Sequence, residues 1–572
     1  MLVGHKTYQR QSLFLVFFVC TLVASILIVR LGYLMLTKAD YYGVKAKELH
    51  ERERTIKAER GKILDRNGNV LAGNVSVSTI SVIHSQVKEP EKVISVLSKE
   101  LGIEEAEIRK KVEKISSREK IKSNVEKEIS DRIRAYKLAG VTVDEDYKRY
   151  YEYGTLASKV LGFTGGDNQG IVGLEVSYES LLKGLDGSIL TMATAGGVEI
   201  RNGAEDRKEP IAGWNLTTTL DLNVMEYATQ VANKLLEQKQ AKTVEIIIMN
   251  PQNGEIYAMV NAPEFDLNNP YSLTEEFSND TSGKSKQDLL NNMWRNQCIN
   301  DTYEPGSTFK IVTATAALSE NLVSLDSTFN CPGFVVVDDR RIRCHKTTGH
   351  GSQDFVHGTM NSCNPVFVNV GLRVGVKKFY NYMDKLGLLK TTGIDLPGEA
   401  GTIIHKQKNV GNVELATMSF GQSFQITPVQ FLTAASAIVN GGNLITPHFG
   451  VEIRNENNET VKKLKYNEKE NVISKDVSEK MKYILEKVVA EGTGNKAQVE
   501  GYRIGGKTAT SQKLPRSARK YIASFMAFAP ANDPQVIAMI IVDEPQGVYY
   551  GGTVVGPLMK QLYENILPYV VK

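Results

Sequence analysis

The chain has 572 residues, more than one core accommodates, so two or three domains are expected. Hydrophobic residues at 42% and charged residues at 23% are ordinary for a globular protein. A net charge of +4, with no long basic tract outside a glutamate-containing segment near residue 110, gives nucleic-acid binding no electrostatic support.

The first element is the run SLFLVFFVCTLVASILIV at 12–29, 18 residues without a charge, which residues 31–36 prolong past Arg30. Its length fits one crossing of a bilayer core about 30 Å thick. A cleaved signal peptide would use the same basic residues, Lys6 and Arg10. The run, however, exceeds a signal core of about 7–15 residues, and no small-x-small cleavage site follows it. An uncleaved single-pass anchor in the cell membrane is expected, with the short N-terminus cytoplasmic and the rest outside. No second run of this kind follows.

A charged helical stretch comes next, then ERGKILDRNGNVLAGN, in which 65–69 (DRNGN) between apolar residues has the pattern of a hairpin turn. Residues 89–136 carry helix formers with apolar residues three and four apart, and are expected to be small amphipathic helices without chemistry. GIVGLEVSYESLLKGLDGS is expected to give a helix bounded by glycines. From residue 216 the composition shifts. A strand ending at Asp221 precedes a helix, and VEIIIMNPQNGEIYAMVNAP is a hairpin. IGGKTATSQK, YIASFMAFAPA and QVIAMIIVDEP read as three late strands. An early hairpin, a helical middle and three late strands predict one α/β domain whose sheet joins both ends of the segment. The expected division is a tail at 1–11, an anchor at 12–36, a non-catalytic pedestal at 37–215 and a catalytic domain at 216–572.

Chemistry enters at YEPGSTFKIV, residues 303–312. If a helix begins at Ser307, Lys310 lies one turn along on the same face. A serine hydroxyl is a weak nucleophile at neutral pH and needs a base within hydrogen-bond reach. A lysine amine serves when burial and nearby positive charge lower its pKa. Alone, S-x-x-K recurs by chance, and a helix start followed by a solvated lysine explains it. Two further stretches change the weighing. SCN at 362–364 offers Ser362 as a proton relay and Asn364 to hold a substrate amide. GGKTAT at 505–510, read on a strand, offers the fixed charge of Lys507 and the hydroxyls of Thr508 and Thr510. S-x-x-K, S-x-N and K-T-x in that order form a pattern of serine acyl-transfer enzymes.

With these motifs the chain resembles the class B penicillin-binding proteins, membrane-anchored peptidoglycan DD-transpeptidases, and within them a sporulation and cell-division branch. RGKILDRNGNVLA and GIVGLEVSYESLLKGLDG look like the family's two pedestal motifs. GIDLPGEAGTI, SFGQSFQITPVQ, GTGNKA and YYGGTVVGP are similar to stretches around its catalytic domain, and CPGFVVVDDRRIRCHKTTGHG supports the branch. The resemblance implies an α/β transpeptidase domain, an antiparallel sheet flanked by helices, beside an extended mixed α+β pedestal of the dimerisation type. It implies Ser307 as the acylated nucleophile and Lys310 as its base. Ser362 with Asn364 and Lys507 with Thr508 would be the second and third motifs, with the backbone amides of Ser307 and Thr510 as oxyanion hole. The implied substrates are peptidoglycan stem peptides ending in D-Ala-D-Ala, on lipid-linked precursors, with β-lactams as covalent inhibitors. The implied partner is a polytopic SEDS-type glycosyltransferase, and the chemistry would need no cofactor. A non-catalytic scaffold for that polymerase, or a DD-carboxypeptidase, is the alternative. Two departures stand out: Ala509 occupies a glycine place, which is expected to narrow the cleft, and Glu152 a place often taken by proline.

Five cysteines do not make a disulfide scaffold. Cys20 lies in the span, and Cys331 and Cys344 bracket an expected hairpin with His345 and His350 just beyond. Two readings stay open. One is a Cys331–Cys344 disulfide with Cys298 and Cys363 as buried thiols near the cleft. The other is a structural Zn(II) site drawn from Cys298, Cys331, Cys344 and His345, with Asp301 as a substitute, although C-x12-C-H is not a standard finger spacing. His357 and His405 read as surface residues and Trp294 as packing.

Overall fold

The computed structural model describes residues 4–42, 45, 51–116, 118–192 and 206–571. A helix, Gly4–Leu36, opens the chain, and its Arg10–Leu36 stretch has a mean hydropathy of 2.9 with no residue buried in the protein. That is the length and composition of a membrane span. The charged helical stretch expected next falls mostly outside the described residues. Glu51–Ile56, by contrast, is a strand.

Two compact units are separable by their internal contacts. The first comprises Met1–Glu59, Ser76–Lys148 and Leu185–Ile211. In it the helices Pro90–Leu101, Glu105–Val112 and Lys127–Ala135 bury Val93, Leu97, Ile108 and Ile133 against Ile80, Val82, Ile121 and Val125. Pro90 at the first helical position and Gly102 in the left-handed region after the last punctuate the first helix. Residues 119–126 depart from the helical expectation: Glu119–Glu126 is a strand antiparallel to the later part of Val70–Val82. Ile121 and Val125, its two buried residues, lie four apart, a spacing that one face of a strand shares with one face of a helix. Glu51–Ile56 pairs with Gly187–Met192, and that strand with Asp206–Lys208.

The second unit comprises Arg60–Val75, Arg149–Gly184 and Ala212–Lys572. Its central sheet is antiparallel, in the order Ile256–Ala262, Thr243–Met249, Val536–Asp543, Tyr521–Ala529, Gly505–Gln512. The early hairpin and the three late strands are thus neighbours, as the sequence predicts. Thr243–Met249 and Val536–Asp543 are buried along nearly their whole length because helices cover both faces. Leu222–Lys239 packs with Gly556–Val570, while Lys310–Ser319, Pro428–Val439 and Lys475–Ala490 form the other group.

The segments Arg60–Val75 and Arg149–Gly184 carry the two motifs placed in the pedestal, and both belong to this unit. The hairpin turn forms as expected: the Asp65 carboxylate accepts from the N–H groups of Asn67 and Asn69 at 2.8 Å each, and Gly68 supplies φ +90°. GIVGLEVSYESLL gives two short helices, Gly173–Ser177 and Glu179–Leu182, rather than one. Their purpose is visible at Glu175, which is fully buried and accepts from Arg60 Nε and Arg149 Nε at 2.6 Å each, with the Tyr151 hydroxyl at 3.2 Å.

Candidate active site

Pro305 is followed by a 3₁₀ turn, Gly306–Phe309, and the α-helix begins at Lys310 rather than at the serine. Gly306 has φ +57°, and a Cβ there would meet Ser511 Oγ at 2.5 Å. Its N–H donates to the Gly421 carbonyl at 2.9 Å. Only glycine lets this turn press so closely against the Gly505–Gln512 strand. Ser307, half-buried, therefore lines a cleft of about 450 Å³ together with Ser362, Asn364, Thr508, Ala509 and Thr510.

Lys310 is wholly buried. Its Nζ donates to the Ser362 carbonyl at 2.7 Å, to Asn364 Oδ1 at 2.8 Å and to Ser362 Oγ at 3.3 Å. Lys507, equally buried, donates to Ser362 Oγ at 2.9 Å and to the Thr508 carbonyl at 3.1 Å. Ser362 Oγ is thus shared by two amines. Ser362 holds φ +49°, a left-handed conformation that costs a non-glycine residue about 1–2 kcal/mol. Burial pushes the Lys310 ammonium down to about 7, against the opposing electrostatic pull that negative charge on the Cys363 and Cys344 sulfurs exerts. Burial, and then the charge of Lys310, holds Lys507 well below the ordinary lysine range. Among the described contacts Ser307 Oγ makes no hydrogen bond to Lys310, whose partners all belong to the second motif. A catalytic hydrogen bond that closes only on substrate is common in free enzymes.

The third motif stands on a strand, as expected, and that strand is at the edge of the sheet. Among the described residues Gly505–Gln512 pairs only with Tyr521–Ala529, which leaves its other backbone row for an added peptide strand. The Thr508 hydroxyl donates to Thr493 Oγ1 at 3.2 Å, and Thr510 Oγ1 accepts from the Gly551 N–H at 3.1 Å. Ala509, 4% exposed, lines the cleft. Replacing it by glycine is expected to raise the acylation rate constant for bulky β-lactams about tenfold, the worth of roughly one methyl in a tight pocket. Stopped-flow acylation of both proteins measures this; an unchanged rate would mean the methyl does not obstruct. Tyr521 and Tyr549, stacked at 4.0 Å, and Thr493 also line the cleft; Thr493 and Tyr549 lie in the family-like stretches GTGNKA and YYGGTVVGP, whereas no motif announces Tyr521.

The cysteines sort differently from the sequence proposal. Cys331, Cys344, Cys363 and His350 place their ligand atoms within 4.8 Å of one another. Cys298 stays out of this group: it is buried against Val260 O at 3.8 Å, and burial together with Glu245 and Glu264 pushes its thiol up. Asp301 is paired with Arg295. His345 is exposed, its Nδ1 3.8 Å from Cys344 Sγ, and it lines the cleft. The signal for His350 lay in strand pairing. Thr328–Cys331 is antiparallel to Gly351–Asp354, and the His350 N–H donates to the Cys331 carbonyl at 3.0 Å. No disulfide forms among the described residues.

A serine on a tight turn, a buried lysine at its side and a K-T-x edge strand across a cleft define a serine acyl-transfer site on an antiparallel sheet. Residues 244–564 match the penicillin binding protein transpeptidase domain, and residues 55–218 the penicillin-binding protein dimerisation domain. The chain belongs to the class B penicillin-binding proteins. It is 39% identical to "Stage V sporulation protein D" of Bacillus subtilis (strain 168) over 99% of this chain and 87% of that one. It is 28% identical to "Probable peptidoglycan D,D-transpeptidase PenA" of Neisseria meningitidis over 89% of this chain and 84% of that one. The fold is shared with the crystal structure of penicillin binding protein 2X from Streptococcus thermophilus, at a TM-score of 0.73 and 24% identity, covering 90% of this chain and 80% of that one.

Proposed function

We propose that this chain is a serine DD-transpeptidase that cross-links peptidoglycan stem peptides. The observation that carries the reading is Lys310: a buried amine beside the Ser307 turn, joined through Ser362 to Lys507, with burial lowering its pKa. Ser307 Oγ attacks the carbonyl of the penultimate D-Ala and forms an ester as the C–N bond to the last D-Ala breaks. Lys310 takes the hydroxyl proton, and Ser362 relays a proton to the departing amine. Backbone amides at Ser307 and Thr510 hold the oxyanion. An amine of a second stem peptide then attacks the ester, and Ser307 regains its proton. Asn364 Oδ1 and the outer row of the 505–512 strand align the donor stem. In the full setting, the Gly4–Leu36 helix anchors the chain with Lys6 and Arg10 on the cytoplasmic side. Lipid-linked precursors supply the stems, and a SEDS-type polymerase supplies the glycan. The work is in spore or septal wall, and the 39% relative's name supports the sporulation role.

The test uses the full chain in detergent with a stem pentapeptide and an excess of an amine acceptor. One D-Ala released per amide formed is the expected result. Release of D-Ala with water as the only acceptor would make the protein a carboxypeptidase, and no release from folded protein would leave a scaffold.

A further inference from the structure

The 328–354 segment is weakly built. It consists of two two-stranded sheets, Thr328–Cys331 with Gly351–Asp354 and Phe334–Val337 with Arg340–Arg343, and most of their residues are exposed or half-buried. Isolated two-stranded ribbons are marginal in water and need a staple. Yet three thiols converge there, at 0%, 2% and 0% exposure for Cys331, Cys344 and Cys363, with no disulfide among them. The fold also brings the loops together deliberately. Gly349, at φ +86°, lies so close to the Cys331 carbonyl that a Cβ would collide with it, and the Cys344 N–H donates to Gly333 O at 2.9 Å.

We propose that Cys331, Cys344, Cys363 and His350 bind one zinc ion in a tetrahedral Cys₃His site that fastens this segment to the second motif. Zinc at about 2.3 Å from sulfur and about 2.0–2.1 Å from nitrogen in a tetrahedron sets sulfur and nitrogen about 3.6 Å apart. His350 Nδ1 lies 3.7 Å from Cys331 Sγ and 3.5 Å from Cys344 Sγ, and all four ligand atoms fall within 4.8 Å. Four protein ligands close the shell, so the ion is structural and leaves no position for substrate. Its consequence lies in the next residues. Cys363 stands between Ser362 and Asn364, and Asn364 Nδ2 donates to the carbonyl of Arg343, the neighbour of Cys344, at 3.1 Å. The ion thus fixes both residues that bind Lys310. That effect on acylation, though not the metal site itself, rests on the transpeptidase reading.

The test is metal analysis of the full chain, purified in detergent from zinc-replete cells with thiols alkylated at harvest in a parallel sample. About one zinc per chain is expected in the wild type and in Cys298→Ala, and less than about a tenth of that in His350→Ala and Cys344→Ser. Cobalt substitution should give thiolate charge-transfer and tetrahedral ligand-field bands that both variants lose. Chelated protein that keeps its far-ultraviolet dichroism should acylate with penicillin about a hundredfold more slowly and recover with zinc, because a displacement of about 1 Å in a catalytic group costs that much. Zinc below the level of the variants, zinc unchanged in both variants, or a disulfide between any two of these cysteines in the alkylated sample would overturn the site. Zinc at full occupancy with no acylation of wild type would instead strike the transpeptidase reading and leave the site standing. Equal acylation with and without the ion would overturn only its positioning role.

Discussion

Replacing Ser307 by alanine is expected to abolish the covalent penicillin adduct, read as a mass increment equal to the whole antibiotic on one tryptic peptide. Of the other hydroxyls in the cleft, two belong to the second and third motifs, so the prediction discriminates. Ser362 Oγ is already engaged by Lys507 and Lys310, and Thr508 Oγ1 donates to Thr493. Neither is free to attack while holding its partner. Replacing Lys310 by methionine keeps the volume and removes the proton acceptor, and should slow acylation by about 10⁴-fold while penicillin still binds reversibly. An adduct on Ser307→Ala at another residue, or near-normal acylation of Lys310→Met, would displace these residues from their roles.

The same lysine sets the pH dependence. Its ammonium form cannot accept a proton, and burial has brought its pKa to about 7. The acylation rate constant should therefore be low in mild acid, reach half its maximum near neutrality and level off above about pH 8. Lys507 titrates beside it and shares Ser362 Oγ, so the curve reports the pair. A profile flat from about pH 5.5 to 9 would mean that proton transfer to Lys310 does not limit the step.

What could be read from the sequence was whatever chemistry constrains tightly. Acyl transfer demands a nucleophile and a base at fixed spacing, so Ser307 and Lys310 were legible, and S-x-N and K-T-x gave them company. The central sheet was legible because Thr243–Met249 and Val536–Asp543 are apolar along nearly their whole length. The Glu119–Glu126 strand was not. Half of its residues are exposed, and its two buried residues are four apart. The cysteine cluster was legible as a gathering but not in its membership. Cys298 lies close to Ser307 along the chain, whereas His350 reaches the cluster through a strand pairing that no local pattern announces. The reach of the two early motifs was hidden for a similar reason. Arg60 and Glu175 are 115 residues apart, and nothing in either segment names its partner.

That pairing carries the other large expected effect. Glu175 is fully buried with two oxygens and two arginines: Arg60 Nε on one at 2.6 Å, Arg149 Nε on the other at 2.6 Å. Arg60 also donates to the Asn168 and Glu175 carbonyls and pairs with Glu179 at 2.7 Å. Taking Glu175 to alanine leaves the buried Arg149 without its carboxylate and Arg60 with Glu179 alone, and arginine cannot shed its proton to escape the cost. A loss of about 3–5 kcal/mol is expected for the unit that holds the active site, read as a lowered urea midpoint monitored by tryptophan fluorescence. The converse measurement decides whether charge or packing is responsible. Replacing Arg60, Arg149 and Glu175 together by methionine, methionine and leucine removes the stranded charges while keeping the bulk. It should recover most of the midpoint, because a buried ion network traded whole for apolar side chains is often neutral in stability. If the triple variant is as unstable as Glu175→Ala, the arginine contacts to the backbone carbonyls, rather than the charge balance, hold these two segments in place.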